Sequence, residues 1–278
     1  MTLLAIFAHP DDETFGCGGT LARAAAEGLR VELICATRGE AGKVTDPALG
    51  KVEDVGRLRE EELRAACRTL GMEPPRLLDY RDSGRYDRTR GHDSKALLNV
   101  AEETLEQVLL AYIAQIEPAI ILTFDPHGIY GHIDHIKVHR AATAAFWAAG
   151  GVMQPAPRRL FYTAMTSRRM LELQAERPTS PLANLDVARY GVSEDSLAAI
   201  VDIAAYAAQK EVAVRAHRSQ VGPNSSFAGL SREGAWAEMF LRETFTLGGL
   251  RGAFPAMPVD TLWTGLGLGS SEPPCYTA

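Results

Sequence analysis

The first forty residues constrain the fold most. Thr2–Ala8 is an apolar run that reads as a buried strand. Gly16–Gly19 breaks it, Thr20–Glu27 reads as a helix ending at Gly28, and Arg30–Ala36 as a second strand. Two strands joined through a helix predict a βαβ unit, and hence a parallel sheet. The pattern continues. Apolar positions from Glu53 to Leu70 recur at helical spacing, with Gly71 as the cap and Pro74–Pro75 as the stop. Arg76–Leu78 reads as a short strand, Tyr80–Asp93 as a loop, and Leu97–Ile116 as a helix. Ala119–Phe124 is the strongest strand, followed by a loop over Asp125–Gly131, a helix over Asp134–Ala149 and a strand at Leu160–Thr163. The expected class is α/β, with a mostly parallel central sheet flanked by helices.

Farther along, Ser196–His217 and Arg232–Arg242 read as helices. Residues 246–278 hold six Gly and four Pro and read as an extension, partly ordered, beyond a single domain over 1–245. Length permits a sizeable core without disulfides.

Of the seven histidines, four (His127, His132, His135 and His139) fall in DPHGIYGHIDHIKVHRA. A fifth, His9, opens HPDDE just beyond the first strand, with Asp11, Asp12 and Glu13. An isolated HPDD is as readily a polar turn that caps a helix. Paired with a second His/Asp cluster after another strand, it reads as a metal site, because imidazole nitrogen and carboxylate oxygen suit Zn(II) and similar ions. In open parallel sheets such segments meet beyond the carboxyl ends of the strands.

The net charge of −6, from 29 basic and 35 acidic residues without a long basic run, argues against nucleic acid as the partner. Cys17, Cys35, Cys67 and Cys275 are scattered and form no CxxC pair, which fits reduced thiols in a cytoplasmic protein. MTLLAIFAHPDD does not read as a signal peptide, and no apolar stretch is long enough for membrane insertion. The glycines at 16–19 lack GxGxxG spacing, so they read as close backbone packing rather than a dinucleotide site.

HPDDE (His9–Glu13) and GHIDH (Gly131–His135) make the sequence resemble the LmbE-like or PIG-L-like N-deacetylase superfamily, which includes the deacetylases of mycothiol and bacillithiol biosynthesis. Ile133 stands where the family commonly has Pro. The segments at Thr37–Glu40, Arg59–Leu63, Asp82–Gly84 and His217–Gln220 also look family-like, so the resemblance spans most of residues 3–220. It implies a Rossmann-like domain with zinc on His9, Asp12 and His135. It also implies Asp11 as general base, with His132 and Tyr130 stabilising the reacting carbonyl and Asp134 behind the ligands. Glu40, Arg59 and Asp82 match positions that face a sugar in relatives, although RLREEELR reads equally as a salt-bridged surface for Arg59. His217 reads either as a site residue or as a helix end.

The expected activity is removal of an N-acetyl group from a small GlcNAc-containing conjugate, releasing acetate and a free amine. The expected partner is that amino-sugar conjugate, and relatives hint at a homo-oligomer. Three alternatives stay open: a deacylase of another N-acylated metabolite, a metal-containing binding protein without turnover, and a metal-assisted phosphoesterase. Either Asp11 or His132 could protonate the leaving amine.

Overall fold

The computed structural model describes residues 1–85, 89, 91–177 and 182–267. Among these, seven strands form one sheet in the order β3-β2-β1-β4-β5-β7-β6. The strands are β1 (Thr2–Phe7), β2 (Arg30–Thr37), β3 (Arg76–Tyr80), β4 (Ile120–Thr123), β5 (Arg159–Ala164), β6 (Ala199–Asp202) and β7 (Arg242–Leu250). The first five run parallel, while β7 is antiparallel to both β5 and β6. The helices are α1 (Asp12–Phe15), α2 (Gly18–Ala26), α3 (Val55–Leu70), α4 (Glu102–Ile116), α5 (Gly128–Gly131), α6 (Ile133–Val152), α7 (Ser167–Glu176), α8 (Val187–Tyr190) and α9 (Ala207–Ala216). α4 packs on α6, and both α2 and α3 pack on α9.

The chain forms these elements for local reasons. β1 and β4 are buried along nearly their whole length, as expected of central parallel strands that need apolar residues on both faces. The Asp54 carboxylate accepts the Arg57 amide at the start of α3, and Gly71 closes it in the left-handed region at φ 76°. Gly19 approaches Ile203 so closely that a Cβ would collide with it, in keeping with the packing role expected for the glycines at 16–19.

The chain departs from the expected pattern after Thr163. The segment read as one helix over Ser196–His217 contains β6, a short 3-10 turn and only then α9. Alanine-rich composition favours helix, but AIVD pairs with β7 in the sheet, and pairing overrides propensity. Arg232–Arg242 forms a 3-10 helix over Gly234–Phe240. The expected boundary at 245/246 falls inside β7, and the segment beyond it buries Val259, Leu262 and Trp263 in the core. Residues 268–278 of the expected extension lie outside the described residues, as do residues 86–88 and 90 of the loop read over Tyr80–Asp93. No helix among the described residues is long and apolar enough to cross a membrane.

A candidate metal centre at the carboxyl ends of β1 and β4

β1 lies between β2 and β4, so the chain leaves it toward one side and returns on the other. Crevices at such reversals of strand order are where open α/β sheets bind ligands. Leu3 and Ala5 pair with Ile120 and Leu122, so the turn after β1 and the loop after β4 emerge side by side. This brings His9 to His135 across 126 residues: His9 Nδ1 lies 3.1 Å from His135 Nε2.

The outer contacts of each ring fix which nitrogen carries the proton. His9 Nε2 lies 3.1 Å from Asp134 Oδ2 and 3.5 Å from Asp82 Oδ1, so it donates to carboxylate. His135 Nδ1 donates to the Gly128 carbonyl at 3.2 Å. Both inward nitrogens therefore present lone pairs to each other in the neutral rings. Asp12 adds two oxygens, Oδ1 at 3.4 Å from His135 Nε2 and Oδ2 at 3.6 Å from His9 Nδ1. Acceptors this close need a proton or a metal ion between them. The arrangement suits a metal ion, because tetrahedral bonds of ~2.0–2.2 Å leave ligand atoms about 3.3–3.6 Å apart. Hydrogen-bonded outer nitrogens are also what orient metal-bound imidazoles.

Electrostatics point the same way. Burial opposes charge on the His9 ring, but Asp82, Asp12 and Asp134 outweigh it and raise its pKa well above the usual value. The site thus draws positive charge. Burial also works against the Asp12 carboxylate, yet His135 and His9 hold it down at about 2. His135 is pushed down to about 4 by burial, with the Asp12 charge opposing and His9 adding to the fall. Burial pushes Asp11 up to about 7, against the pull of the Arg59 guanidinium.

His132 lies close enough for its nitrogen to cluster with those of His9 and His135 within 4.8 Å. A second group within that span joins His9, Asp82 and Asp134. The first differs from the set expected from the sequence by placing His132 where Asp12 was expected. However, His132 Nδ1 accepts the Asp134 amide at 3.2 Å, which leaves the proton on Nε2. That nitrogen is a donor, whereas Asp12 supplies a bare anion. Burial pushes His132 down to about 2, helped by His9 and His135. The carboxylate of Asp134 reaches His9 rather than His132, and also accepts the Ser83 amide at 2.9 Å. Tyr130 stands edge-on to His135, with ring centroids 5.2 Å apart.

Asp11 belongs to a strained turn, with φ 119° in a region that side chains seldom adopt. Three contacts hold it. Its amide donates to Glu13 Oε2 at 3.0 Å, the Thr14 hydroxyl donates to its carbonyl at 2.8 Å, and Arg59 Nη2 donates to the Pro10 carbonyl at 2.6 Å. Glu13 Oε1 in turn meets His217 Nε2 at 2.6 Å, with both side chains fully buried. Glu13 lay within the motif but drew no role from it. Its partner lies 204 residues away, a pairing no local pattern reveals.

Of the positions expected at the sugar, Arg59 is buried, with Nη1 on the Gly39 carbonyl at 2.7 Å. Asp82 is buried too, accepting amides from Gly84 at 2.8 Å and Ala41 at 3.2 Å. Glu40 is half-buried on the loop beyond β2. Cys17 is buried and donates to the Glu13 carbonyl, and burial raises its thiol pKa well above the usual value, so it is no ligand as it stands. His139 is buried, its Nδ1 2.8 Å from the Phe124 carbonyl.

Comparison with known proteins agrees with this geometry. The chain is 34% identical over 283 residues to a protein named 1D-myo-inositol 2-acetamido-2-deoxy-alpha-D-glucopyranoside deacetylase from Thermobifida fusca (strain YX), covering 95% of this chain and 98% of that one. It is 36% identical over 234 residues to a protein of the same name from Actinosynnema mirum, covering 79% and 80%. Among solved structures, the conserved protein TT1542 from Thermus thermophilus matches with a TM-score of 0.58 at 26% identity, covering 91% of this chain and 97% of that one. Residues 4–146 match the family described as PIG-L: GlcNAc-PI de-N-acetylase. The chain belongs to the PIG-L family.

Proposed function

We propose that the protein is a metal-dependent N-deacetylase that hydrolyses the acetamide of a GlcNAc-containing conjugate to acetate and a free amine. One observation carries this reading. Two buried imidazole lone pairs and a carboxylate converge in a PIG-L family chain, with the Asp11 carboxylate beside them. His9, Asp12 and His135 would hold the ion, and zinc suits this donor set. A bound divalent ion supplies Lewis acidity and lowers the pKa of water.

The chain's own residues do the rest. Asp11, with a carboxyl pKa near 7, takes the proton of the attacking water. His132 Nε2–H and the Tyr130 hydroxyl donate to the oxygen that gains charge in the tetrahedral intermediate. His132 is held neutral by the Asp134 amide on its other nitrogen, so the leaving amine takes its proton back from Asp11. Glu40 contacts the sugar, while Arg59 and Asp82 act from behind, holding the Asp11 turn and the His9 ring.

The substrate named for the relatives makes N-acetylglucosaminyl inositol the first conjugate to test. N-acetylglucosaminyl malate and chitooligomers complete the panel. Acetate and free amine should appear together, vanish on chelation and return with added zinc. Absence of metal-dependent release from every member of the panel, and from alkyl and aryl glycosides of N-acetylglucosamine, contradicts the reading.

A further inference from the structure

A cavity of about 340 Å³ opens directly beside Asp11, Asp12 and Tyr130. That volume is within the range of small-molecule sites, roughly 300–1,000 Å³. Its exposed wall is mostly apolar, formed by Phe15, Met165, Leu173, Phe227, Trp236 and Met239 among charged residues paired with one another. Phe15 belongs to α1, four residues beyond Asp11, and stacks on Phe227 with centroids 4.3 Å apart. Phe227 in turn meets Trp236 at 5.6 Å. This aromatic wall is therefore continuous with the turn that carries Asp11.

We propose that this chamber receives an alkyl or aryl group joined to the N-acylated amine, so that the substrate is an amphiphilic conjugate rather than a bare polyol. The proposal rests on the N-deacetylase reading and narrows its substrate class. Two observations carry it. First, the cavity and the candidate metal centre share Asp11 and Asp12, so a group in the chamber lies next to the place where the scissile bond must sit. Second, a polyol placed against Phe15, Phe227, Leu173 and the two methionines would leave hydroxyls without partners, a costly arrangement. The charged residues of the lining are paired among themselves or with a neighbour: Arg168 with Glu172 at 2.7 Å and Glu194 at 2.8 Å, Arg169 with Glu238 at 3.2 Å, Arg242 with Glu238 at 2.8 Å and Lys210 with Glu243 at 2.7 Å.

The apolar group could sit on either side of the scissile bond, and two substrate series separate the sources. One is N-acylglucosamines of increasing acyl length. The other is methyl, butyl, hexyl and phenyl glycosides of N-acetylglucosamine. In one series kcat/KM should climb about fourfold per buried methylene until the chamber is full, mainly through KM. Trp236→Ala and Leu173→Asp should flatten that climb. A flat response in both series, with the methyl glycoside still hydrolysed, overturns the chamber and leaves the deacetylase reading standing. If no member is hydrolysed, the deacetylase reading fails, and binding decides the chamber. Equilibrium dialysis of the zinc-loaded protein should retain the phenyl glycoside at least tenfold more tightly than the methyl glycoside. Equal retention, or none, overturns the proposal.

Discussion

Asp11 holds a backbone conformation that costs an L-residue on the order of 1–3 kcal/mol, and Glu13 is one of the three residues that hold it there. One Glu13 oxygen takes the Asp11 amide and the other takes His217 Nε2, so the side chain must accept twice. Burial opposes charge on His217, yet the adjacent Glu13 carboxylate raises its pKa above the usual value. Glu13→Gln keeps the size but turns one acceptor into a donor, which must face either the Asp11 amide or the His217 N–H. The variant should lose kcat by roughly 10–100-fold, the effect of one charge-assisted hydrogen bond. KM and zinc content should stay near the parent values, because no ligand is touched. Lost zinc with unchanged kcat per bound ion would show that Glu13 supports the ligands instead. At this scale the motifs HPDDE and GHIDH made the inner cluster legible, since the first lies directly beyond β1 and the second follows the loop and short helix beyond β4. The contacts of Glu13, Arg59 and Asp82 were not, since each reaches partners distant in sequence.

Elements divide in the same way. β1, β2 and β4 were readable because central parallel strands are apolar on both faces, and α3 because its apolar positions recur at helical spacing up to the Gly71 cap. β6 and β7 were not, since their identity depends on each other and on β5. The segment after Leu250 is likewise part of the core. Val259 pairs with Ala199, the buried Arg159 guanidinium donates to the Leu262 carbonyl at 2.8 Å, and Trp263 Nε1 donates to Glu27 at 2.8 Å. Truncation before Thr246 should therefore abolish folding. The milder Trp263→Ala should lower unfolding free energy by about 3–5 kcal/mol in urea titration. A truncated protein with parental stability would show the segment to be peripheral after all.

For the whole molecule, alternation of strands and helices announced an α/β fold with a largely parallel sheet. It did not announce the strand order, and that order decides that β1 and β4 are neighbours. The site follows from that adjacency: His9 meets His135, Asp134 reaches back to His9, and Asp11 lines the adjoining chamber beside Asp12. The central claim is this division of labour between adjacent aspartates, Asp12 for the ion and Asp11 for the proton. Metal content and turnover of Asp11→Asn and Asp12→Asn, followed together across a zinc titration, test it most directly. Asp11→Asn should bind zinc like the parent and lose about 10²–10⁴-fold in kcat, the usual worth of a general base. Asp12→Asn should bind zinc weakly and regain part of its activity as zinc rises. Loss of zinc from Asp11→Asn with retention by Asp12→Asn, or near-parental turnover of zinc-loaded Asp11→Asn, would contradict the account.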